Sequence, residues 1–319
     1  VKRFERTVSF YDLRMSASSR TFDAPTTIST ARALELLASI PEEHRIKGYQ
    51  NDEHIYYIKD LRFVNGNCEI LINKCDRQLA DPRFSDPRNS TWRTAAREDG
   101  EGLDFSCHLI IRPSLDPLES ALAILENATG LSIANVQRFL TGLLRDVEAF
   151  NIDAFEFPHP DGSVDAKGHP KKYRARFTFT FDGHPSDELV DSLREGRING
   201  IELITSSNKE GRLDAHGYVR EVRQTLAISL GDQVERGKRV GTLKSFFQKK
   251  SSAYEKARIS FVDPGGLPRT VKLNTADFTI DAESIFIKRI SIDGFVEPLE
   301  QAYETINPAI IAKMRLLLG

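Results

Sequence analysis

The pair Asn65-Gly66 stands between two runs rich in β-branched and aromatic residues, His54 to Val64 and Cys68 to Lys74. A two-residue hairpin turn needs positive φ at both central positions, which Asn and Gly tolerate and most residues do not. The pair therefore predicts a β-hairpin, and with it an antiparallel sheet. Other segments read the same way. Phe4 to Arg14 is rich in β-formers (Val8, Phe10, Tyr11), Leu103 to Arg112 ends at Pro113, and Tyr173 to Phe181 alternates cleanly. Ile198 to Thr205, Val219 to Leu230, Phe278 to Ile280 and Ile285 to Ile292 extend the set. Ala257 to Val262 and Arg269 to Leu273 form a second hairpin around Pro264-Gly265-Gly266.

Helical patterns interrupt the strands. Thr26 to Ile40 carries a cap at Ser29 or Thr30 and a stop at Pro41. Pro117 to Asn127 and Ser132 to Ala149 have apolar residues at helical spacing and meet at Thr129-Gly130, which predicts a helical hairpin. The second of these helices offers only Arg138 and Arg145 as cations, so packing rather than DNA reading is expected of it. Ser186 to Arg194, Gly237 to Ser251, and Pro298 to Leu318 with a break at Pro308 complete the helices. The expected class is α+β: mostly antiparallel sheets, a helical hairpin insertion and a C-terminal helix serving the core or a homodimer contact. The polar, Gly/Pro-broken stretch Pro158 to Lys172 places a domain boundary between 1–155 and 156–319.

Asp76 to Gly102 reads as a long structureless loop. It holds the single tryptophan, Trp92, and Arg77, Arg83, Arg88, Arg93 and Arg97, balanced by Asp76, Asp81, Asp86, Glu98 and Asp99. Runs of this length are often functional, so it is a second candidate contact surface.

Charge supplies the main functional signal. Tyr218 to Arg258 holds ten Lys/Arg and four acids, a local net of +6 in a chain of formal net charge −2, so the remainder carries about −8. Segregation of this kind points to a polyanion-facing surface. On a helical wheel, Val240, Leu243 and Phe247 fall on one side of the basic helix, with Phe246 on its shoulder. Lys238, Thr242, Ser245 and Lys249 line the opposite side, with Arg236, Arg239, Lys244 and Lys250 flanking. Lysines with short hydroxyls between them suit phosphate contact. Arg220 and Arg223, three apart on a strand, face opposite sides. A further basic strip is expected from Lys172, Arg174 and Arg176, which share one face of the strand Tyr173 to Phe181 and its approach.

Several chemistries are excluded or disfavoured. Gly231 to Arg239 follows a strand and opens a helix like a P-loop, but its spacing is one residue too long and Arg239 stands where Ser/Thr should hold magnesium. No His-Glu-x-x-His is present; His159, His169 and His184, with Asp161 and Asp165, read as loop residues rather than a metal site. No Gly-x-Ser-x-Gly or Gly-x-Gly-x-x-Gly occurs, and no cofactor is called for. A metal-dependent nuclease would have to assemble Asp187, Glu188, Asp191 and Glu202 near Lys209, and the spacing does not dictate it. That enzyme and a protein-binding adaptor are the alternatives to a nucleic-acid binder.

The three cysteines include Cys68 and Cys75 on opposite faces of one strand, which predicts free thiols rather than a disulfide or metal pair. No run approaches the roughly 18 apolar residues of a membrane span, and Val1 to Arg6 carries charge with no apolar run behind it, unlike a signal peptide. A soluble cytoplasmic protein is expected, binding DNA in preference to RNA and no membrane.

One layout is spread over residues 103–319. A strand enters a helical stretch (Leu103 to Val147); then come the basic strand Tyr173 to Phe181, the amphipathic Glu188-Leu189-Val190-Asp191-Ser192-Leu193, a basic strand and helix, a β-rich stretch and a terminal helix. This layout resembles the Rex-type phage-exclusion DNA-binding proteins. The first hundred residues, including Val8-Ser9-Phe10-Tyr11-Asp12-Leu13-Arg14, resemble uncharacterised mobile-element proteins of bacteria. The resemblance implies sequence-nonspecific DNA binding, dimerisation and a role in defence against phage. The acidic overall balance is where this chain departs from it.

Overall fold

The computed structural model describes residues 2–164, 167–205, 224–231 and 233–319. Arg220, Arg223 and the start of the strand expected from Val219 lie outside them. The fold is α+β with mostly antiparallel pairing. In chain order the strands begin with β1 (Arg6–Ser18), β2 (Ile46–Tyr49), β3 (His54–Val64), β4 (Asn67–Asp76), β5 (Arg83–Asp86) and β6 (Thr91–Thr94). They continue with β7 (Leu103–Arg112), β8 (Ala121–Glu126), β9 (Glu156–Pro158), β10 (Lys172–Arg174) and β11 (Arg176–Gly183). The last are β12 (Arg197–Ile204), β13 (Thr225–Ile228), β14 (Lys256–Val262), β15 (Pro268–Asn274) and β16 (Arg289–Ile292). The α-helices are α1 (Thr30–Ala38), α2 (Ile133–Phe150), α3 (Asp187–Glu195), α4 (Arg239–Lys250) and α5 (Pro308–Leu317).

The chain forms two compact units, Val1–Phe181 with Ile290–Gly319, and Asp182–Arg289. The boundary expected at residue 155 therefore falls inside the first unit, and the second unit is an insertion between β11 and β16. The polar loop around 158–172 does not divide the units because its ends pair, β9 against β10.

The first unit is built on an eight-stranded sheet in the order β11-β1-β8-β7-β4-β3-β2, with β16 also paired to β1. The Asn65-Gly66 turn forms as expected: φ is 50° and 79° at the two positions, and Val64 faces Asn67 across the ladder. β4 and β7 lie in the middle of the sheet and are buried over most of their length, as strands covered on both faces are. On one face Tyr56 meets Phe139 of α2, ring centroids 5.9 Å apart. On the other, Val8, Phe10, Leu71, Ile110 and Ile124 form a core with Ile310, Ile311, Met314 and Leu318. Ser29 caps α1 by accepting from Arg32 N, and Ser132 caps α2 by accepting from Asn135 N.

Three expectations are corrected. Residues 121–126, expected within the first helix of a helical hairpin, form β8, so no such hairpin exists and α2 packs on the sheet instead. The run Ala-Leu-Ala-Ile-Leu-Glu is short and almost continuously apolar, a pattern that periodicity cannot assign, and its slot between β1 and β7 decides for strand. The terminal helix starts only at Pro308, where Asn307 Oδ1 accepts from Ala309 N and Ile310 N and proline occupies the first helical turn. The segment before it runs along the sheet, with Tyr303 O accepting from Asn73 Nδ2 and Gln301 O from Ser106 N. The loop expected from Asp76 to Gly102 contains the short hairpin β5–β6.

A buried ionic network ties these parts together. Arg6, His108 and Glu126 are 4%, 0% and 2% exposed. Arg6 Nε lies 2.8 Å from Glu126 Oε1. Glu126 Oε2 accepts from the His108 backbone N–H at 3.1 Å and faces its Nδ1 at 2.6 Å. Asn307 N–H donates to His108 Nε2 at 2.9 Å, so the ring hydrogen sits on Nδ1. Arg6 also donates to the carbonyls of Glu5 and Glu300. A second buried carboxylate, Glu69, holds Arg62 at 2.9 Å and Arg315 of α5 at 2.8 Å.

Glu126→Ala strands the Arg6 charge without a counter-ion and lowers the unfolding free energy by about 3–5 kcal/mol in urea denaturation. Removing the exposed Arg32–Glu35 pair by Arg32→Ala changes it by less than about 1 kcal/mol. Burial works against the Glu69 carboxylate, but the hydrogen bonds and charges of Arg315 and Arg62 outweigh it and hold its pKa below the ordinary 4.5. A group depressed in this way stabilises fully above its unfolded pKa and loses that contribution as pH falls through its folded value. Acid titration of the wild-type urea midpoint therefore drops below about pH 4.5, and Glu69→Gln flattens that part of the curve.

Candidate functional site

The basic helix belongs to the second unit, whose sheet runs β13-β12-β14-β15. A 3-10 turn at Arg236–Lys238 leads into α4. Leu243 and Phe247 are its buried residues, and Phe247 stacks on Phe278 with ring centroids 6.1 Å apart. With that side turned inward, Lys238, Thr242, Ser245 and Lys249 are all exposed, as the wheel requires. Together with Gly241 and Phe246 they line an open depression of about 620 Å³. A Cβ at Gly241 would meet nothing within 4 Å, so this point of the lining is open. α4 contains no acidic residue, and Lys249 and Lys250 in its last turn suit the negative end of the helix dipole.

The cations around this face divide into engaged and free groups. Arg239 is half-buried and donates to Gly196 O at 2.9 Å and Arg194 O at 3.5 Å, closing the C-terminal end of α3. Lys244 Nζ sits 5.2 Å from the centroid of the Phe278 ring. Arg236 lies 3.8 Å from Glu195, and Lys238 lies 2.8 Å from Glu235. Both of these pairs are exposed, and such pairs contribute only about 0–1 kcal/mol, so they yield readily to a stronger anion. Among the described residues no carboxylate lies within 4.0 Å of Lys249 or Lys250. The Thr242 hydroxyl donates to Lys238 O, which leaves Ser245 as the hydroxyl of the stripe with a hydrogen to offer.

The strip expected from Lys172, Arg174 and Arg176 lies in the first unit. β10 ends at Arg174 and β11 begins at Arg176, yet alternation carries through: Tyr173, Ala175 and Phe177 are buried while the three cations are exposed. Lys172 is 3.5 Å from Glu156, and Arg174 is 3.5 Å from Glu148 and 3.6 Å from Glu156. Sequence reasoning missed what joins them. Ser18, Ser19, Arg20 and Thr21, at the end of β1, face Arg174 and Arg176 across a groove of about 310 Å³. Three guanidinium groups and three hydroxyls line this groove, donors of the kind that suit an oxyanion, though Arg174 is also paired with Glu148 and Glu156. The signal was present as Ser-Ala-Ser-Ser-Arg in residues 16–20, but only the pairing of β11 with β1 brings it to Arg176.

Three of the four carboxylates considered for a nuclease are engaged separately: Asp187 with Lys288 at 3.3 Å, Asp191 with Arg194 at 2.9 Å, and Glu202 with Arg258 at 3.0 Å. Lys209 and Asp165 lie outside the described residues. His159 pairs with Asp161 at 2.8 Å and packs beside Phe22. Among the described residues no group of three His, Cys, Asp or Glu side chains could hold a metal ion, and no helix is long and apolar enough to cross a membrane.

Compared with known proteins, the chain matches no family model, no curated protein and no solved structure.

The division of cations has a measurable consequence. Arg239→Ala leaves two carbonyls at the end of α3 without their donor and costs about 1–2 kcal/mol of stability. Lys249→Ala stays within about 0.5 kcal/mol of wild type. Chemical denaturation of the two variants, followed by circular dichroism, checks both.

Proposed function

We propose that the protein binds nucleic acid without reading its sequence, DNA in preference to RNA, through the exposed face of α4. The observation that carries this is the unbroken stripe Lys238–Thr242–Ser245–Lys249. It lies opposite the buried Leu243 and Phe247, with Thr242, Ser245 and Lys249 on a helix without a single acid and Lys238 in the turn that leads into it, and it lines an open depression. Lysine ammonium groups and a serine hydroxyl are phosphate ligands. The stripe contains none of the Arg, Asn or Gln side chains whose paired donors and acceptors read base edges, so backbone contact is its chemistry. The groove of Arg20, Arg174 and Arg176 offers the same chemistry on the first unit. The resemblance to Rex-type proteins adds the proposal that the protein acts as a homodimer in defence against phage.

With Lys238, Lys244, Lys249 and Lys250 each neutralising a phosphate, the log–log dependence of duplex affinity on salt has a slope of about −3 to −4. Lys238→Glu combined with Lys249→Glu lowers affinity for random-sequence duplex more than tenfold and makes the slope shallower by about 2. Both are read by fluorescence anisotropy, with circular dichroism showing the fold retained. Wild-type affinity in the double variant overturns the assignment to α4, and salt-independent binding overturns the function.

A further inference from the structure

The β5–β6 hairpin is a protrusion whose residues are all exposed. Phe84 and Trp92 are 50% and 63% exposed, so two large rings are held in water rather than in a core. Short isolated hairpins are marginal in water, and this one is reinforced at both ends. Ala95 N donates to Pro82 O at its base. At its tip Asp86 Oδ1 accepts from Arg88 N at 3.0 Å and Asn89 N at 3.3 Å, and Asp86 Oδ2 accepts from Asn89 Nδ2 at 2.7 Å. These three hydrogen bonds, two from backbone and one from a side chain, hold the Asp86 carboxyl below its ordinary pKa.

The register sets what each side presents. Phe84 faces Arg93 and Ser85 faces Trp92, so Phe84 and Arg93 share one side while Arg83 and Trp92 share the other. The Arg93 guanidinium lies 4.4 Å over the Phe84 ring and that of Arg83 lies 4.2 Å over the Trp92 ring. Each side of the ribbon thus carries one arginine–aromatic stack. Residues 82–95 hold three arginines, Arg83, Arg88 and Arg93, against Asp86, whose carboxylate is taken up by the turn.

We propose that the β5–β6 arm is a base-stacking contact for single-stranded nucleic acid, with Trp92 and Phe84 each taking an unpaired base and Arg83, Arg88 and Arg93 the adjoining phosphates. Every base has a π-face, so stacking on an aromatic ring is tolerant of sequence. A guanidinium laid on one face of the ring fixes the ring's orientation, leaves stacking to the opposite face and keeps a charge within reach of the neighbouring phosphate. Duplex hides its base faces within the stack, whereas an unpaired strand presents bases and phosphates together. Docking against a protein surface would use one side of the ribbon; a stack on each side fits a flexible strand passing around it. The inference rests on the nucleic-acid reading above but on different residues in the other unit.

The chain has one tryptophan, so its fluorescence reports on the arm alone. The full-length protein is titrated with oligothymidine of about 20 nucleotides, longer than the ~4–16 that a single stacking site covers. Trp92 emission is expected to be quenched in step with binding measured by anisotropy. Quenching should persist in the Lys238→Glu, Lys249→Glu protein. Phe84→Ala with Trp92→Ala is expected to weaken oligothymidine binding about tenfold or more and leave duplex binding unchanged, while Trp92→Phe retains most of the affinity. Unchanged Trp92 emission at saturation, wild-type oligothymidine affinity in the alanine pair, or quenching by polyglutamate but not by oligothymidine each overturns the arm. The duplex binding lost in the lysine variant stands or falls independently of all three.

Discussion

A carboxylate buried beneath a sheet has to be answered by charge and by hydrogen bonds, and in this protein the answers to Glu126 come from separate parts of the chain. Arg6 is on the first strand, His108 on a central strand, and Asn307 caps the last helix while donating to the far side of the same imidazole. Pairs of this kind add little net stability over apolar packing but penalise any arrangement in which one member is misplaced. The network is satisfied with β8 between β1 and β7 and with α5 starting at the Asn307 cap. The apolar contacts of Ile310, Ile311 and Met314 then close one side of the sheet. Glu69, gripping Arg315 from the neighbouring strand, fixes the other end of the same helix.

What was legible in the residues was whatever local chemistry alone decides. Asn65-Gly66 permits one tight turn, Ser29 and Ser132 cap helices wherever they precede an apolar face, and the α4 wheel separates Leu243 and Phe247 from Lys238 and Lys249 without help from elsewhere. Residues 121–126 were not legible because their pattern is degenerate and the vacancy between two strands settled them. The terminal helix was overextended because Leu299, Tyr303 and Ile306 keep helical spacing while packing as an irregular strap against the sheet. The Arg20 groove was invisible for a related reason: its two halves are more than a hundred positions apart and meet only through strand pairing.

The basic residues show how little a count of charges says by itself. Arg239, expected to flank the stripe beside Lys244 and Lys250, instead has its planar group taken up by the carbonyl end of α3. The lysines that remain available, Lys249 and Lys250, are exposed in the last turn of α4. Flexibility and a compact charge suit a ligand whose phosphates arrive in no fixed register. The arginines of the β5–β6 arm are of a different sort, each already laid on a ring.

The bond between Asn307 and His108 joins positions 199 apart, with the whole inserted unit between them. During synthesis, β1, β4, β7 and β8 leave the ribosome long before α5 exists, and their apolar face of Val8, Phe10, Ile110 and Ile124 has no cover until the final helix is made. Translation thus imposes a waiting period on the first unit while the second is free to fold. A ribosome that stalls or a message cut short within the insertion releases a sheet with one greasy side, a natural client for chaperones and proteases.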